Sequence, residues 1–466
     1  MIQRRLLTLA LFTLLASVPG SATGATLSEP ATWLRDYLRI DTSDPAGESE
    51  AASYLASLLH REGIATRLLV SPEGRTSLYA RLEASASGPK KGALVLLHHI
   101  DVVPPGPGWT IDPFGGEVKN GHLTGRGAID IKSLGIAHLA AFIDLERSRI
   151  PLDRDVIFLA VADEERGGLQ GTGWILERHG DLFRNVAAVL GEGGLAKIVG
   201  GRLLWAGIEV AQKRPLWLRA AARGRGGHGS SLIPSSASHR LITGLARVVD
   251  LPTELRVTAA ARTYAQALAP LHNQKVGRVL ADLDQYVGPE GAPNEVGPGI
   301  YTLLVDTIQV TVLDAGERIN VIPDQATAKI DGRLLPDTDA EALLDRIEAA
   351  AGPDVSFEVL LTAPPAEPSP TDHPIYRAVA GVLGRSGPVV PAFIPGFTDS
   401  RFFRERGIAA YGVSPFFLES KAFLGIHGPD EAISLDELDR GVDRMRQIVA
   451  TCASTERPAS PERPVS

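Results

Sequence analysis

The sequence predicts an α/β protein: a largely parallel sheet covered by helices, with a separate α+β unit inserted into it. Three observations carry this. Apolar runs at 93–97, 156–162 and 186–190 alternate with helix-like segments, and strands buried on both faces read as continuous apolar runs. Each run stops in side chains able to hold a metal: His98-His99-Ile100-Asp101, Asp163-Glu164-Glu165 and Gly191-Glu192. Between 216 and 362 the texture changes to alternating segments of antiparallel type, at 307–312 and 325–335, and then returns to α/β.

The composition bounds the answer. With 466 residues, 44% hydrophobic and 22% charged, a large core is available and disorder is not the default. A net charge of −8 argues against nucleic acid, which would demand a basic face. The lone Cys452 excludes an intramolecular disulfide and a multi-thiolate metal site. Arg4 and Arg5, an apolar run at 6–18 and small residues at 21–25 read as a signal peptide over 1–25, cleaved near Gly24 or Ala25. The run is short for a bilayer, so no permanent membrane anchor is expected. The mature protein is expected to be exported, periplasmic or secreted.

In chain order, 48–62 has helical periodicity and stops at Gly63, a usual terminator, and 77–82 alternates like a strand. After the strand 93–97, a Pro/Gly loop at 104–108 leads to Gly125-Arg126-Gly127-Ala128-Ile129-Asp130 and a helix over 132–147. The strands 156–162 and 186–190 complete the first part of the large domain, 26–215. The inserted unit, 216–362, opens with a strand at 216–222 and a tight loop, Gly224-Arg225-Gly226-Gly227-His228-Gly229. A helix at 236–249, the two alternating segments, a helix at 339–350 and a strand at 355–361 follow. Within it, 255–306 adds two amphipathic helices around a Pro/Gly-rich piece. Pro215 and the Pro-rich 363–370 mark the borders. The large domain resumes over 363–453 with a helix from Pro374, a strand at 408–413, His427 in a loop and a helix at 435–451. The Pro/Ser/Glu-rich tail, 454–466, reads as disordered.

Open α/β sheets bind ligands beyond the carboxyl ends of their strands, so the polar tips converge on one edge. His99, Asp130, Glu165, Glu192 and His427 form an all-nitrogen-and-oxygen set that suits zinc, with cobalt or manganese as substitutes. The set exceeds one four-coordinate zinc with an open position and suits two metals if one carboxylate bridges. Such a site acidifies a water toward neutral pH. Glu164 points differently from its neighbour Glu165 and supplies a base that takes the water's proton and returns it to the leaving amine. Asp101, two residues after His99 on the same side of an extended chain, can orient that imidazole through its other nitrogen. His99 is then the ligand, and His98 faces the packing. Taken singly, each residue is also explained by a salt bridge, a solvated loop or a satisfied core histidine; the order and the strand-end placement favour the site.

The motifs His99-Ile100-Asp101-Val102-Val103-Pro104, Gly125 to Lys132 (Gly-Arg-Gly-Ala-Ile-Asp-Ile-Lys), Asp163-Glu164-Glu165-Arg166-Gly167-Gly168 and Gly425-Ile426-His427-Gly428-Pro429-Asp430-Glu431 together resemble one family. It is the co-catalytic zinc metallopeptidase family of glutamate carboxypeptidase, aminoacylase, acetylornithine deacetylase and succinyl-diaminopimelate desuccinylase. The layout is most similar to its carboxypeptidase-S-like members. The resemblance implies a zinc-exopeptidase catalytic domain with an inserted lid and dimerisation domain, two zinc ions and a homodimer. It implies that His99 and Glu192 hold one zinc, Glu165 and His427 the other, and that Asp130 bridges. Glu164 is then the general base, Asp101 the partner of His99, and His228 the histidine that stabilises the oxyanion, often in the partner subunit's site.

Asn320 and Arg333 resemble substrate-gripping positions. Arginine suits a bidentate clamp on a carboxylate, although a salt bridge to Asp331 explains Arg333 equally well. Gly396-Phe397-Thr398-Asp399-Ser400-Arg401 resembles a pocket-lining loop, with Gly396 and Thr398 as substrate contacts. The chain departs from the family pattern at His98 and Ser133, where glycine is usual, and at Phe397, where a small residue is common. None of these removes a ligand.

The expected function is hydrolysis of an amide bond next to a free carboxylate, as in a carboxypeptidase or N-acyl-amino-acid hydrolase acting on peptides or N-acyl amino acids. Glu192, rather than aspartate, resembles that branch of the family, and the 255–306 insertion offers a lining for an acyl or side-chain pocket. Two alternatives stand: a dipeptidase or aminopeptidase that reads a free amine, and a non-catalytic binding protein on the same scaffold. The second is disfavoured by the intact Glu164 and ligand set.

Overall fold

The computed structural model describes residues 27–288, 291–419 and 425–454. The expected signal peptide and the tail beyond Ser454 lie outside the described residues, apart from Ser454 itself.

A nine-stranded sheet organises the large domain. Its centre is parallel. The strand Lys91–His99 lies between Arg154–Val161 and Val186–Gly191, and Ala409–Gly412 continues the parallel order beyond Val186–Gly191. Leu94, Val95 and Leu96 are fully buried, as strands covered on both faces require. The flanks are mixed. Thr66–Val70 and Thr76–Leu82 form a hairpin that joins Arg154–Val161 in antiparallel sense. On the other side Arg202–Gln212 runs antiparallel to Ala409–Gly412 and to Leu195–Val199, and parallel to Val389–Ile394. The reason lies in the connections. Gly200 and Gly201, both at positive φ, make a tight turn that allows only antiparallel neighbours, whereas the helix Lys132–Ser148 returns the chain for a parallel pairing.

Lys132–Ser148 is buried along nearly its whole length and shares the core with the last helix, Leu435–Ala453. It also receives His98. A Cβ on Gly135 would stand 2.5 Å from the His98 ring, so this glycine makes room for the imidazole. His98 lies beside Phe158 and His138, with centroids 5.1 and 5.9 Å away. Burial holds its pKa well below the usual range. As expected, His98 packs on the helix and His99 is left for the site.

The inserted unit has its own antiparallel sheet, in the order Thr307–Asp314, Gln325–Leu334, Arg214–Arg223, Val355–Thr362. Burial alternates along Arg214–Arg223 and Gln325–Leu334, the signature of strands with one covered face. The cover is Ala237–Val249 and Ala340–Ala351, whose Leu241, Leu245, Leu343 and Ile347 meet Leu218 and Ile330 in a separate core.

One expectation is corrected. The 255–306 insertion interrupts the lid in sequence but packs on the large domain. Helix Ala259–Leu268 buries Ala260, Ala261, Tyr264, Ala265 and Leu268 on one face, and these residues belong to the large-domain core. Tyr264 sets its ring edge against Trp205 at 6.3 Å. Among the described residues, none of the insertion lines the cavity described below, so these residues do not form an acyl pocket there. The apolar stripe was readable from its helical spacing; its partner was not.

Candidate metal centre and active-site pocket

The strand Lys91–His99 delivers His99 almost fully buried. Its Nδ1 lies 2.8 Å from the main-chain oxygen of Asp101. Its Nε2 faces Asp130 Oδ1 at 3.3 Å and Glu192 Oε2 at 3.6 Å. The expected partnership with Asp101 therefore changes form. The Asp101 carboxylate is 3.7 Å from Nδ1 and instead accepts the backbone N–H groups of Glu164 and Glu165, each at 3.1 Å. Asp101 orients the imidazole with its main chain and the turn that carries Glu164 and Glu165 with its side chain. The reason is that the chain leaves the strand at Ile100, turning the carbonyl and not the carboxylate toward the ring.

The turn Glu164–Arg166 follows Asp163, which is left-handed at φ 73°. The consecutive glutamates diverge from it. Glu164 Oε2 lies 3.9 Å from His99 Nε2, and Glu165 Oε1 lies 3.2 Å from His427 Nε2. Asp130 spans the gap, with Oδ1 toward His99 and Oδ2 at 3.1 Å from His427. One carboxylate thus addresses two histidines with different oxygens, which is the disposition of a bridging ligand. Glu192, just past Val186–Gly191, completes the His99 side.

Two residues unassigned from sequence hold this geometry. Glu431 Oε1 accepts the N–H groups of Ile129 (2.6 Å) and Asp130 (3.0 Å), and Oε2 takes Arg126 Nη1 (2.7 Å) and the Gly127 N–H (3.3 Å). Arg126 Nη2 also donates to the main-chain oxygen of His427 at 3.0 Å. The buried Arg126–Glu431 pair therefore ties the Asp130 loop to the His427 loop. Both residues stand inside the quoted motifs; the available signal was a pair of opposite charges in two otherwise glycine-rich loops.

Electrostatics argue that protein charges alone do not balance this cluster. Four carboxylates (Asp130, Glu164, Glu165, Glu192) face two imidazoles. Burial, reinforced by Glu192, drives the Glu164 pKa well above the carboxylate range. Burial would also raise Asp130, but hydrogen bonds from His427 and His99 pull it below its usual value. Hydrogen bonds to Asp130 and Glu165 raise His427 to about 10. Burial opposes a charged His99, yet Glu192 and Asp130 carry it well above normal. Four buried carboxylates against two imidazoles leave negative charge that cations would offset. The all-nitrogen-and-oxygen donors, the bridging carboxylate and the excess negative charge fit divalent metal ions.

A cavity of about 500 Å³ opens over the cluster. Asp130, Glu164, Glu165, Glu192 and His427 line it, with an apolar wall from Leu195, Ile394, Val413, Phe416 and Leu418 and two lid residues, Trp217 and Arg333. Arg333 bonds Asp331 through Nε at 2.7 Å and Nη2 at 2.9 Å, so the salt-bridge and pocket readings hold together. Thr398 lines the cavity, but its hydroxyl is engaged by Gln212 at 3.0 Å. Gly396 is not itself part of the lining; Pro395 and Phe397 are. His228 and Asn320 stay outside. They belong to the exposed ribbon of Gly227–His228 paired with Val321–Ile322, where His228 Nδ1 meets Ser230 Oγ at 2.7 Å and the Asn320 carbonyl accepts the Gly229 N–H. A ribbon that projects from the lid cannot bring them to this chain's own cluster in this arrangement.

Comparison with known proteins agrees with the geometry. The family model described as Peptidase family M20/M25/M40 matches residues 95–451. Aminoacylase-1 of Sus scrofa is 27% identical over 439 residues, covering 92% of this chain and 96% of that protein. The N-fatty-acyl-amino acid synthase/hydrolase PM20D1 of Homo sapiens is 26% identical, over 80% of this chain and 77% of its own. Among solved structures, an M20 family metallo-carboxypeptidase from Sulfolobus solfataricus superposes with a TM-score of 0.72 at 21% identity, covering 91% of this chain and 99% of that one; this likeness speaks to the fold.

Proposed function

We propose, for a chain that belongs to Peptidase family M20/M25/M40 and is a metal-dependent hydrolytic enzyme, that it cleaves amide bonds next to a free carboxylate, as a carboxypeptidase or N-acyl-amino-acid hydrolase. The observation that carries this is Asp130, shared between His99 and His427, with Glu164 beside them in the same cavity. In this reading His99 and Glu192 would hold one zinc, His427 and Glu165 would hold a second, and Asp130 would serve both. Divalent cations there supply polarisation of the scissile carbonyl and acidification of a water. Glu164 takes the proton as the water oxygen bonds to the carbonyl carbon, and gives it to the nitrogen as the C–N bond breaks. Arg333 meets the substrate carboxylate, and the apolar wall receives the acyl group or side chain.

His228 is proposed to act on the oxyanion in a second copy of the chain. Its exposed ribbon, together with the exposed Leu232, Leu313 and Ile319, supports a homodimer. The basic and apolar N-terminal segment supports export to the periplasm or medium.

The test is a panel of N-acyl amino acids and of free and N-blocked dipeptides, offered to zinc-loaded protein alongside metal analysis. Hydrolysis of blocked substrates is expected, with two zinc ions per chain. Activity confined to free amines would move the protein to the dipeptidase reading, and less than about one zinc per chain would end the two-metal reading. The Glu164→Ala variant should keep its metal and lose about 10³-fold in kcat; full activity would place the base elsewhere.

A further inference from the structure

The structure surrounds the ring of Phe397 with specific partners. The residue follows Val389–Ile394 in the large domain. The guanidinium carbon of Arg333 lies 4.5 Å from its centroid, the Trp217 ring 5.7 Å away at 58°, and the guanidinium carbon of Arg401 5.8 Å away. Arg333 and Trp217 come from neighbouring lid strands, so this ring joins lid to large domain beside the cavity.

The guanidinium is also held from its side. Trp217 and Asp331 are cross-strand partners, and Trp217 Nε1 donates to Asp331 Oδ1 at 2.9 Å. Asp331 in turn accepts Arg333 Nε and Nη2. One edge of the guanidinium is pinned by a carboxylate and one face lies on an aromatic ring. Among the described residues, Nη1 has no hydrogen-bond partner. The Nη1/Nη2 end is therefore the end available for a second, bidentate carboxylate contact. Arg401, also near the Phe397 ring, stacks on Phe402 at 3.8 Å and donates to the main-chain oxygen of Gly167 at 2.6 Å. Gly167 closes the turn that carries Glu164.

We propose that Phe397 is a positioning residue. With Trp217 and Asp331 it seats Arg333 at a fixed distance from the Glu164 turn, so that the lid arrangement described here selects substrates bearing a free carboxylate at the end facing the lid. This rests on the carboxylate reading of Arg333 above. The π face is the working part, because a cation over an aromatic ring is attracted by the ring's quadrupole. Apolar bulk of similar size does not supply that attraction.

The experiment uses the metal-loaded full chain, an N-acyl amino acid and the corresponding C-terminal carboxamide. Phe397→Leu keeps apolar volume and removes the π face; Phe397→Tyr keeps the face. Phe397→Leu is expected to raise KM for the acid about tenfold, to change kcat less than about twofold, and to narrow the preference for acid over amide. Phe397→Tyr is expected to retain the wild-type KM. A Phe397→Leu enzyme with wild-type KM, one that loses kcat instead, or one that loses acid and amide alike would overturn the proposal. The underlying reading fails separately: a wild-type enzyme with no acid preference, or an Arg333→Ala variant whose preference is intact, removes the carboxylate clamp itself.

Discussion

At the tips of the central strands, His99 and Asp101 are almost fully buried; His99 is bonded to the main chain of Asp101, and the Asp101 carboxylate accepts the N–H groups of Glu164 and Glu165. On the lid ribbon, His228 and Asn320 are exposed, and among the described residues the ring of His228 bonds only its neighbour Ser230. The two regions carry the same kind of polar side chain and are built by opposite means. Strand tips are positioned by the sheet and by main-chain hydrogen bonds, so they converge within one chain. The ribbon is fixed by a two-residue pairing to itself, so its side chains are offered to whatever lies outside the chain. Arg333 falls between these cases. It is on the lid, but a regular strand, a carboxylate and an aromatic ring hold it at the cavity.

The comparison can be broken most sharply at His228. His228→Ala should lower kcat by about 10²–10³-fold, the loss typical of one oxyanion donor. If the histidine serves a partner, mixed dimers of His228→Ala and Glu164→Ala chains should regain activity that neither variant has alone. No regain on mixing would mean that the ribbon does not complete a neighbouring site.

A smaller effect is expected at the strand-tip brace. Each Glu431 oxygen accepts two N–H groups, so the amide of Glu431→Gln must turn a donor toward two donors. Metal affinity, followed by competition with a chelator, should fall about 10–100-fold, as for other partners of metal ligands. Unchanged affinity would show that the Asp130 and His427 loops hold their places without the brace.

The smallest effect concerns the crossing between the regions. Lys213 is fully buried there. Burial, only partly offset by Asp306, lowers its pKa from 10.5 to about 8. Below about pH 8 both folded and unfolded chains carry the proton and the cost of burial is complete. Between 8 and 10.5 the unfolded chain holds more protons, so wild-type stability rises with pH. Lys213→Met should therefore be more stable at pH 7, by on the order of 3 kcal/mol, and the advantage should close toward pH 10. Thermal melts at the two pH values measure this; an advantage that does not change with pH would mean the lysine is already neutralised by its surroundings.

Much was legible from the sequence alone. The apolar runs fixed the parallel centre, because strands buried on both faces leave no polar alternation. The residues that end those runs marked the site, because α/β sheets expose their strand tips on one edge. Alternation along a strand put His98 and His99 on opposite faces, and Asp101, on the His99 side, favoured His99 for the site; the structure packs the His98 ring against Gly135. Tertiary structure decided what depends on partners distant in sequence. It placed the insertion's apolar stripe on the large domain, and turned the Asp101 carboxylate to the Glu164 turn while its carbonyl took His99. It also made Arg126 and Glu431, 305 residues apart, one brace between the Asp130 and His427 loops. Periodicity and local chain direction are properties of neighbouring residues and can be read from order. Which buried charge meets which, and which face covers which, is set only when the chain has closed on itself.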